Sequence, residues 1–182
     1  WYRPTRICHA TSGSEFGWRT GNSKWSPTYP DNLPPVLNIG QGSPTNAMFG
    51  FGANFPSKYK KALYAFDWSF GIIYAIHLTP NGASYDASAE EFISGSPLPL
   101  TDGTIGPDGA FYFATGGRRL ESDLYRVTYQ GELDSYTPMT EADLPQEAKL
   151  RRELEQYHKA GAPAEGLENA WAQLGHADRY VQ

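Results

Sequence analysis

Two patterns of apolar positions divide the chain. Up to Ser135 the apolar residues come in short, aromatic-rich runs closed by glycine, proline, serine or asparagine, the pattern of strands joined by tight turns. Ala62-Leu63-Tyr64-Ala65-Phe66-Asp67-Trp68 is one such run and ends at Ser69-Phe70-Gly71, and Ile72 to Leu78 is a second, β-branched one. Thr79-Pro80-Asn81-Gly82 reads as a turn, because an Asn-Gly pair accepts positive φ. Glu90 to Ile93 begins another strand, closed by Ser94-Gly95-Ser96-Pro97. Leu100 to Ile105, the turn Gly106-Pro107-Asp108-Gly109, Ala110 to Thr115, Gly116-Gly117 and Leu124 to Tyr129 continue the theme. The expectation is a β-meander.

Beyond Tyr136 the spacing changes to that of helices. Thr140 is the expected N-cap, with Glu141 and Asp143 in the first turn, where negative charge meets the positive end of the helix dipole. Pro145 fits only within a first turn, so the regular helix is expected from about there to His158, with Leu150, Leu154 and Tyr157 on one face and Gly161 as its stop. Pro163 opens a second helix with Leu167, Trp171 and Leu174 on one stripe, ended by Gly175. A hairpin of two such helices buries too little surface to be stable alone, so it must pack on something.

The β part carries an approximate repeat. Ala62-Leu63-Tyr64-Ala65-Phe66 aligns with Ala110-Phe111-Tyr112-Phe113-Ala114, about 48 residues on, and Ile73 to Ile76 aligns with Leu124 to Val127 at a slightly longer offset. A period of roughly 40–50 residues, with several short strands in each, is that of a β-propeller blade; an ordinary β-sandwich is the alternative. The fold class expected is therefore mainly β: a partial β-propeller of about two to three blades over residues 1–135, then a short α-helical hairpin over residues 136–182. Closing a ring takes at least four blades. With Trp1 first and no leader before it, the chain is expected to be an excised piece or a processed product, the C-terminal part of a larger propeller.

Composition narrows the function. Lys+Arg is 15 against Asp+Glu 20, a formal charge of −5, which argues against a binder relying on a positive field toward nucleic acid. One cysteine, Cys8, excludes an internal disulfide framework and a CxxC metal or haem site. The four histidines, at 9, 77, 158 and 176, lack metal-ligand spacing, and no HExxH, P-loop or GxSxG motif occurs.

The segments Trp1 to Arg19 and Pro35 to Tyr129 resemble the soluble glucose/sorbosone dehydrogenase propeller superfamily, and in particular large bacterial membrane-bound-dehydrogenase-type proteins. Gly13-Ser14-Glu15-Phe16-Gly17-Trp18 is similar to the family's Gly-x-x-Tyr-Gly-Trp element, and Gly106-Pro107-Asp108-Gly109-Ala110-Phe111-Tyr112 to its GPDG turn and strand. Leu150 to Gln182 resembles the start of the helical, HEAT-like repeats that follow the six-bladed propeller, often ahead of a c-type cytochrome domain. The resemblance implies an exported, periplasmic sugar or aldehyde dehydrogenase using pyrroloquinoline quinone and calcium. It also implies partners: the remaining blades, the downstream repeats and the cytochrome. Its His general base belongs to an earlier blade. A quinone-binding Lys matches the stretch Asp67 to Gly71, which has none, and an Arg-x-Arg-Asp motif matches Pro99-Leu100-Thr101-Asp102, where only the Asp remains. The alternative function is a non-catalytic propeller that binds glycans or scaffolds a cytochrome-bearing assembly.

The candidate substrate-binding residues fall in three groups. Asp67, Trp68 and Asp102 end or interrupt strands, and a carboxylate beside an indole suits a sugar, with hydroxyls on the Asp and the apolar face on the Trp. Arg118 and Arg119 follow two glycines in a loop suited to an anionic group. Arg6 and His9, with Arg3, form a short cationic segment in which Arg3 and His9 share a face if the chain is extended. The plainer reading gives the two Asp residues to turn N–H groups, the arginines to solvated surface, and Trp18, Trp25 and His77 to the core.

Overall fold

The computed structural model describes residues 4–16, 29, 32–161 and 163–182. It is mainly β, with three small antiparallel sheets and a short helical C-terminal part. Strands β1 (Thr5–Ile7) and β2 (Leu37–Gly40) form a pair. A four-stranded meander follows, β3 (Pro44–Phe49), β4 (Leu63–Asp67), β5 (Ile72–Asn81) and β6 (Ser84–Ser94), with a one-turn helix α1 (Ser57–Lys60) between β3 and β4. A three-stranded meander completes the β part: β7 (Leu100–Ile105), β8 (Phe111–Thr115) and β9 (Leu124–Val127). Helices α2 (Gln146–Glu155) and α3 (Glu165–Ala172) close the chain. Trp18 and Trp25, Arg3, and the Gly17-Trp18 end of the first family-like motif lie outside the described residues.

The chain divides into two compact units. One holds Trp1–Arg6, Asn38–Leu78 and Ala87–Pro138, and the other Ile7–Leu37, Thr79–Asp86 and Met139–Gln182. In the first unit the two meanders share one aromatic core. Alternation on β4 turns Tyr64 and Phe66 inward, their partners Ala75 and Ile73 on β5 face the same way, and Phe111 and Phe113 of β8 do so from the other sheet. Phe111 has its ring centroid 4.8 Å from that of Tyr64, 5.4 Å from Phe92 and 6.0 Å from Phe66. Gly103 permits this approach, because a Cβ there would sit 2.4 Å from Phe66 Cζ.

The two meanders also repeat in register. On β3–β4 the pairs run Pro44 with Asp67, Asn46 with Phe66, Ala47 with Ala65, Met48 with Tyr64 and Phe49 with Leu63. On β7–β8 they run Leu100 with Thr115, Asp102 with Ala114, Gly103 with Phe113, Thr104 with Tyr112 and Ile105 with Phe111. Each ladder has one irregularity, after its first pair, and the skipped residue is a threonine in both, Thr45 and Thr101. A bulge at the same place with the same residue type re-aims the chain identically. The repeat seen in sequence at β4 and β8 thus extends to β3 and β7, where it hides in Thr45-Asn46-Ala47 against Thr101-Asp102-Gly103. Thr45 Oγ1 donates to the carbonyl of Leu100 (3.0 Å) and Asn46 Nδ2 to that of Gly103 (3.0 Å), stitching the two first strands together.

Two expectations are corrected. The hairpin expected to turn at Thr79 to Gly82 runs on: β5 reaches Asn81, the turn is Gly82-Ala83, and β6 begins at Ser84 rather than Glu90. Gly82 takes φ 54°, and Asn81 Nδ2 donates to Asp86 Oδ2 across the new turn (3.0 Å). Thr140 does not cap the long helix. Its N–H and hydroxyl donate to Asp143 Oδ2 (2.8 and 2.7 Å) around a separate 3-10 turn, and extended Leu144 separates that turn from α2.

In the second unit the hairpin tip is clasped by the tail. Asp178 Oδ2 accepts from the N–H of Ala83 (2.7 Å), and Arg151 Nε donates to its carbonyl (3.0 Å). Helix α3 meets the 3-10 turn that follows α2 (Gln156–His158) where Gly166 lies against the Tyr157 ring and Asn169 Nδ2 donates to the Tyr157 hydroxyl (2.9 Å). The expected stripe on α3 is not covered by α2: Leu167 is 72% exposed, Trp171 71% and Leu174 50%. The close approach at Gly166 puts a different face of α3 against α2.

Candidate functional site

Meander geometry puts alternate loops at the same end of a sheet. In the first unit the β4–β5 turn, the β6–β7 connection and the β8–β9 loop come together in this way, and they carry four of the residues singled out in sequence. Gly95 N–H donates to the Gly71 carbonyl (3.0 Å) and Gly116 N–H to the Pro99 carbonyl (2.8 Å), so the three loops are tied by main chain.

Asp67 ends β4 and is buried, 3% exposed. Its Oδ1 accepts from the backbone N–H groups of Ser69 (2.8 Å), Ser43 (3.2 Å) and Phe70 (3.2 Å), and a Cβ on Gly42 would strike its Oδ2. This carboxylate organises the turn, as the plainer reading held. Trp68 follows, half-buried, with its Nε1 donating to the Gly116 carbonyl (3.1 Å). The Arg118 guanidinium lies 5.5 Å from the centre of the Trp68 rings, a cation–π contact. Two groups that sequence treated separately, Asp67-Trp68 and Arg118-Arg119, are thus one cluster.

The arginine loop is strained. Leu120 N–H bonds the Gly117 carbonyl (3.0 Å), closing a four-residue turn whose central residues are Arg118 (φ 48°) and Arg119 (φ 68°). This is the dihedral pattern of a type I′ turn, ordinarily filled by Asn-Gly. Two consecutive long side chains in the left-handed region cost roughly 1–2 kcal/mol each. Both are exposed, and among the described residues neither has a carboxylate partner within ion-pair distance. A strained turn holding two cations beside an indole can offer guanidinium N–H forks to an anionic oxygen and an aromatic surface to a ring.

Asp102 is exposed on β7, with its Oδ1 on the N–H of Gly103 (2.8 Å). Arg6 lies on β1 in the same unit and is half-buried. His9 belongs to the second unit. Its ring stacks on Tyr180 (5.5 Å), meets Tyr85 edge-on (5.2 Å) and places Nδ1 3.1 Å from Ser84 Oγ. Burial first, and then the Arg151 charge, holds its imidazole below the ordinary value.

Two clusters escaped the sequence reading. Asp108 of the GPDG turn accepts at Oδ2 from Arg126 (Nη2 2.7 Å, Nε 3.0 Å) and from the Tyr112 hydroxyl (3.0 Å), and at Oδ1 from Ala110 N–H (3.2 Å). The arginine bonds, then the backbone bond, hold its carboxyl below the usual range. Glu90 binds Lys58 (2.7 Å) and His77 Nε2 (3.0 Å), and these bonds pull its carboxyl down to about 2. His77 is therefore a half-buried surface-pair residue, not a core one. Asp108 and Tyr112 stand four apart across the turn, a spacing readable in sequence, whereas Lys58, Glu90 and His77 come from three elements and left no local signal.

The quinone implied by the family resemblance is a trianion that needs cationic partners. At the matching positions the Asp67 carboxylate is tied to three N–H groups, and the two arginine places are held by Pro99 and by Thr101, whose Oγ1 donates to the Ala114 carbonyl (3.1 Å), so the residues present do not fit that group. No set of three or more His, Cys, Asp or Glu side chains among the described residues is placed to hold a metal ion. No described helix is long and apolar enough to cross a membrane. No family model, no curated protein and no solved structure matches the chain.

Proposed function

We propose that the two meanders are consecutive blades of a β-propeller of the glucose/sorbosone dehydrogenase type, and that the Trp68–Arg118 loop cluster forms part of its ligand mouth. The observation that carries this reading is the repeated register of β3–β4 and β7–β8, with the bulge at Thr45 and Thr101 in both. Sheets that repeat in this way, packed through one aromatic core, are the building plan of a propeller, and further blades are needed to close it. Mouth loops in such a plan come from one end of every blade, which is where Trp68, Arg118 and Arg119 gather.

The ligand class follows from the side chains. An indole provides an apolar platform for a sugar ring, and two arginines read a carboxylate or an electron-rich hydroxyl set. A sugar, or the acid made by oxidising a sugar aldehyde, meets both requirements. Within this stretch the role is binding rather than redox chemistry, since the quinone positions carry no cation. That observation favours the glycan-binding alternative as an account of these residues and leaves the dehydrogenase relation as one of ancestry. Titration of the ¹⁵N-labelled chain with glucose and with gluconate, following the Trp68 indole N–H, tests it. Shifts that saturate with either ligand and weaken in Arg118→Ala are expected. No shift at the Trp68 indole with either ligand overturns the reading.

A further inference from the structure

A second site, in the other compact unit, has different chemistry. Thr11-Ser12-Gly13-Ser14 is a tight turn closed by Ser14 N–H on the Thr11 carbonyl (3.2 Å), with Gly13 at φ 77°. Ser12 sits at the tip of the turn, exposed, and its Oγ lies 2.5 Å from Nδ1 of His158, just beyond α2. Glu155 Oε1 accepts the Ser12 N–H (3.1 Å) and an Arg151 guanidinium N–H (2.8 Å), which fixes the turn against the helix. Gly13 also allows the imidazole in, because a Cβ there would stand 3.3 Å from His158 Cε1.

Beside this pair lies a cavity of about 490 Å³ in the same unit. Its polar edge includes Ser12 and His158 with the charged Arg151, Glu155 and Arg179, and its apolar wall comes from Leu154, Leu167, Trp171 and Leu174. The α3 stripe left bare by α2 therefore has a use as the wall of a small-molecule pocket.

We propose that Ser12 and His158 are a nucleophile–base pair that hydrolyses small carboxylic esters whose acyl or aryl group fills this cavity. A serine hydroxyl hydrogen-bonded to an imidazole at a sharp turn is the recurring arrangement for acyl transfer, and the residue after the nucleophile is a usual oxyanion donor, here Gly13. Ser12 Oγ bonds to the ester carbonyl carbon while its proton passes to His158 Nδ1. The ester C–O bond then breaks, and the departing alkoxide takes that proton. Water, giving a proton to the same nitrogen, attacks the acyl-serine, and the acyl C–Oγ bond breaks as Ser12 regains its hydrogen. One ester and one water become one acid and one alcohol, with no redox partner. The pair also clasps the Thr11–Ser14 turn to α2, so the test needs a readout that a mere clasp would not move.

The test treats the full chain with p-nitrophenyl butyrate and, separately, with a fluorophosphonate probe. Release of p-nitrophenol above the buffer rate and phosphonylation at Ser12, read by peptide mass spectrometry, are expected. Ser12→Ala should abolish labelling and turnover, and His158→Gln should lower turnover by about 10²–10³-fold. An unlabelled Ser12 in the unsubstituted chain overturns the proposal whatever the variants do, as does a Ser12→Ala chain that hydrolyses the ester at the parent rate.

Discussion

Replacing Arg118-Arg119 by Asn-Gly should make the protein more stable and its loop cluster less able to bind. Both arginines sit at positive φ in a turn closed by the 3.0 Å Leu120–Gly117 hydrogen bond. Asn and Gly adopt that conformation readily, so relief is about 1 kcal/mol at each position, taking the lower end of the left-handed penalty for a single residue. Against this stands the lost contact of Arg118 with Trp68, about 0.5–1 kcal/mol at an exposed site. The net gain is about 1 kcal/mol, which for a chain of this size is a rise of roughly 2–4 °C in Tm. Differential scanning calorimetry and urea titration read it directly, with Arg118→Ala and Arg119→Ala, which keep the strain, as controls. Unchanged or lower stability in the Asn-Gly variant would refute the argument that the turn stores strain for the sake of its two cations.

Phe111→Ala should cost about 3–5 kcal/mol in urea unfolding, because its ring touches Tyr64, Phe66 and Phe92 and its site is closed; a cost under about 1 kcal/mol would mean that the two sheets do not share a core. Stability should also fall in acid through Glu90. Its carboxyl is held at about 2 by Lys58 and then His77 against an ordinary 4.5, so the stabilisation is whole above pH 4.5 and drains away toward pH 2. Glu90→Gln should flatten the urea midpoint against pH in that window, and an unchanged slope would show the pair to be idle. Gly42→Ala should disturb the Asp67 turn, since the added carbon meets the carboxylate, and should lower Tm more than Gly175→Ala, where nothing lies within 4 Å.

Legibility in the sequence followed locality. Strands β4, β5 and β8 stood out because dense apolar runs end in glycine-bearing turns, and the repeat was visible at β4 and β8 because Leu63-Tyr64-Ala65-Phe66 and Phe111-Tyr112-Phe113-Ala114 share aromatic spacing. The equivalence of β3 and β7 was not, because Pro44 to Phe49 is half polar and its match with Leu100 to Ile105 rests on pairing geometry and a shared bulge. The reach of β5 to Asn81 was masked by Pro80, which reads as a breaker but sits in an extended segment. At the site, the N–H bonds that Asp67 accepts had a local cause, an acidic residue ahead of a tight turn. The union of Trp68 with Arg118 was out of reach, since it joins residues 50 positions apart through main-chain bonds between loops. The α3 stripe was legible as apolar, but its exposure depends on Gly166 packing against Tyr157, which periodicity alone does not disclose.

Nuclear Overhauser spectroscopy on the labelled chain tests most directly whether two like meanders close on one core. The account predicts contacts from the Phe111 ring protons to those of Tyr64 and Phe92. It also predicts matching cross-strand contacts, Met48 to Tyr64 on one sheet and Thr104 to Tyr112 on the other. Phe111 contacts confined to β7 and β9, or a shifted pairing on either sheet, would contradict it.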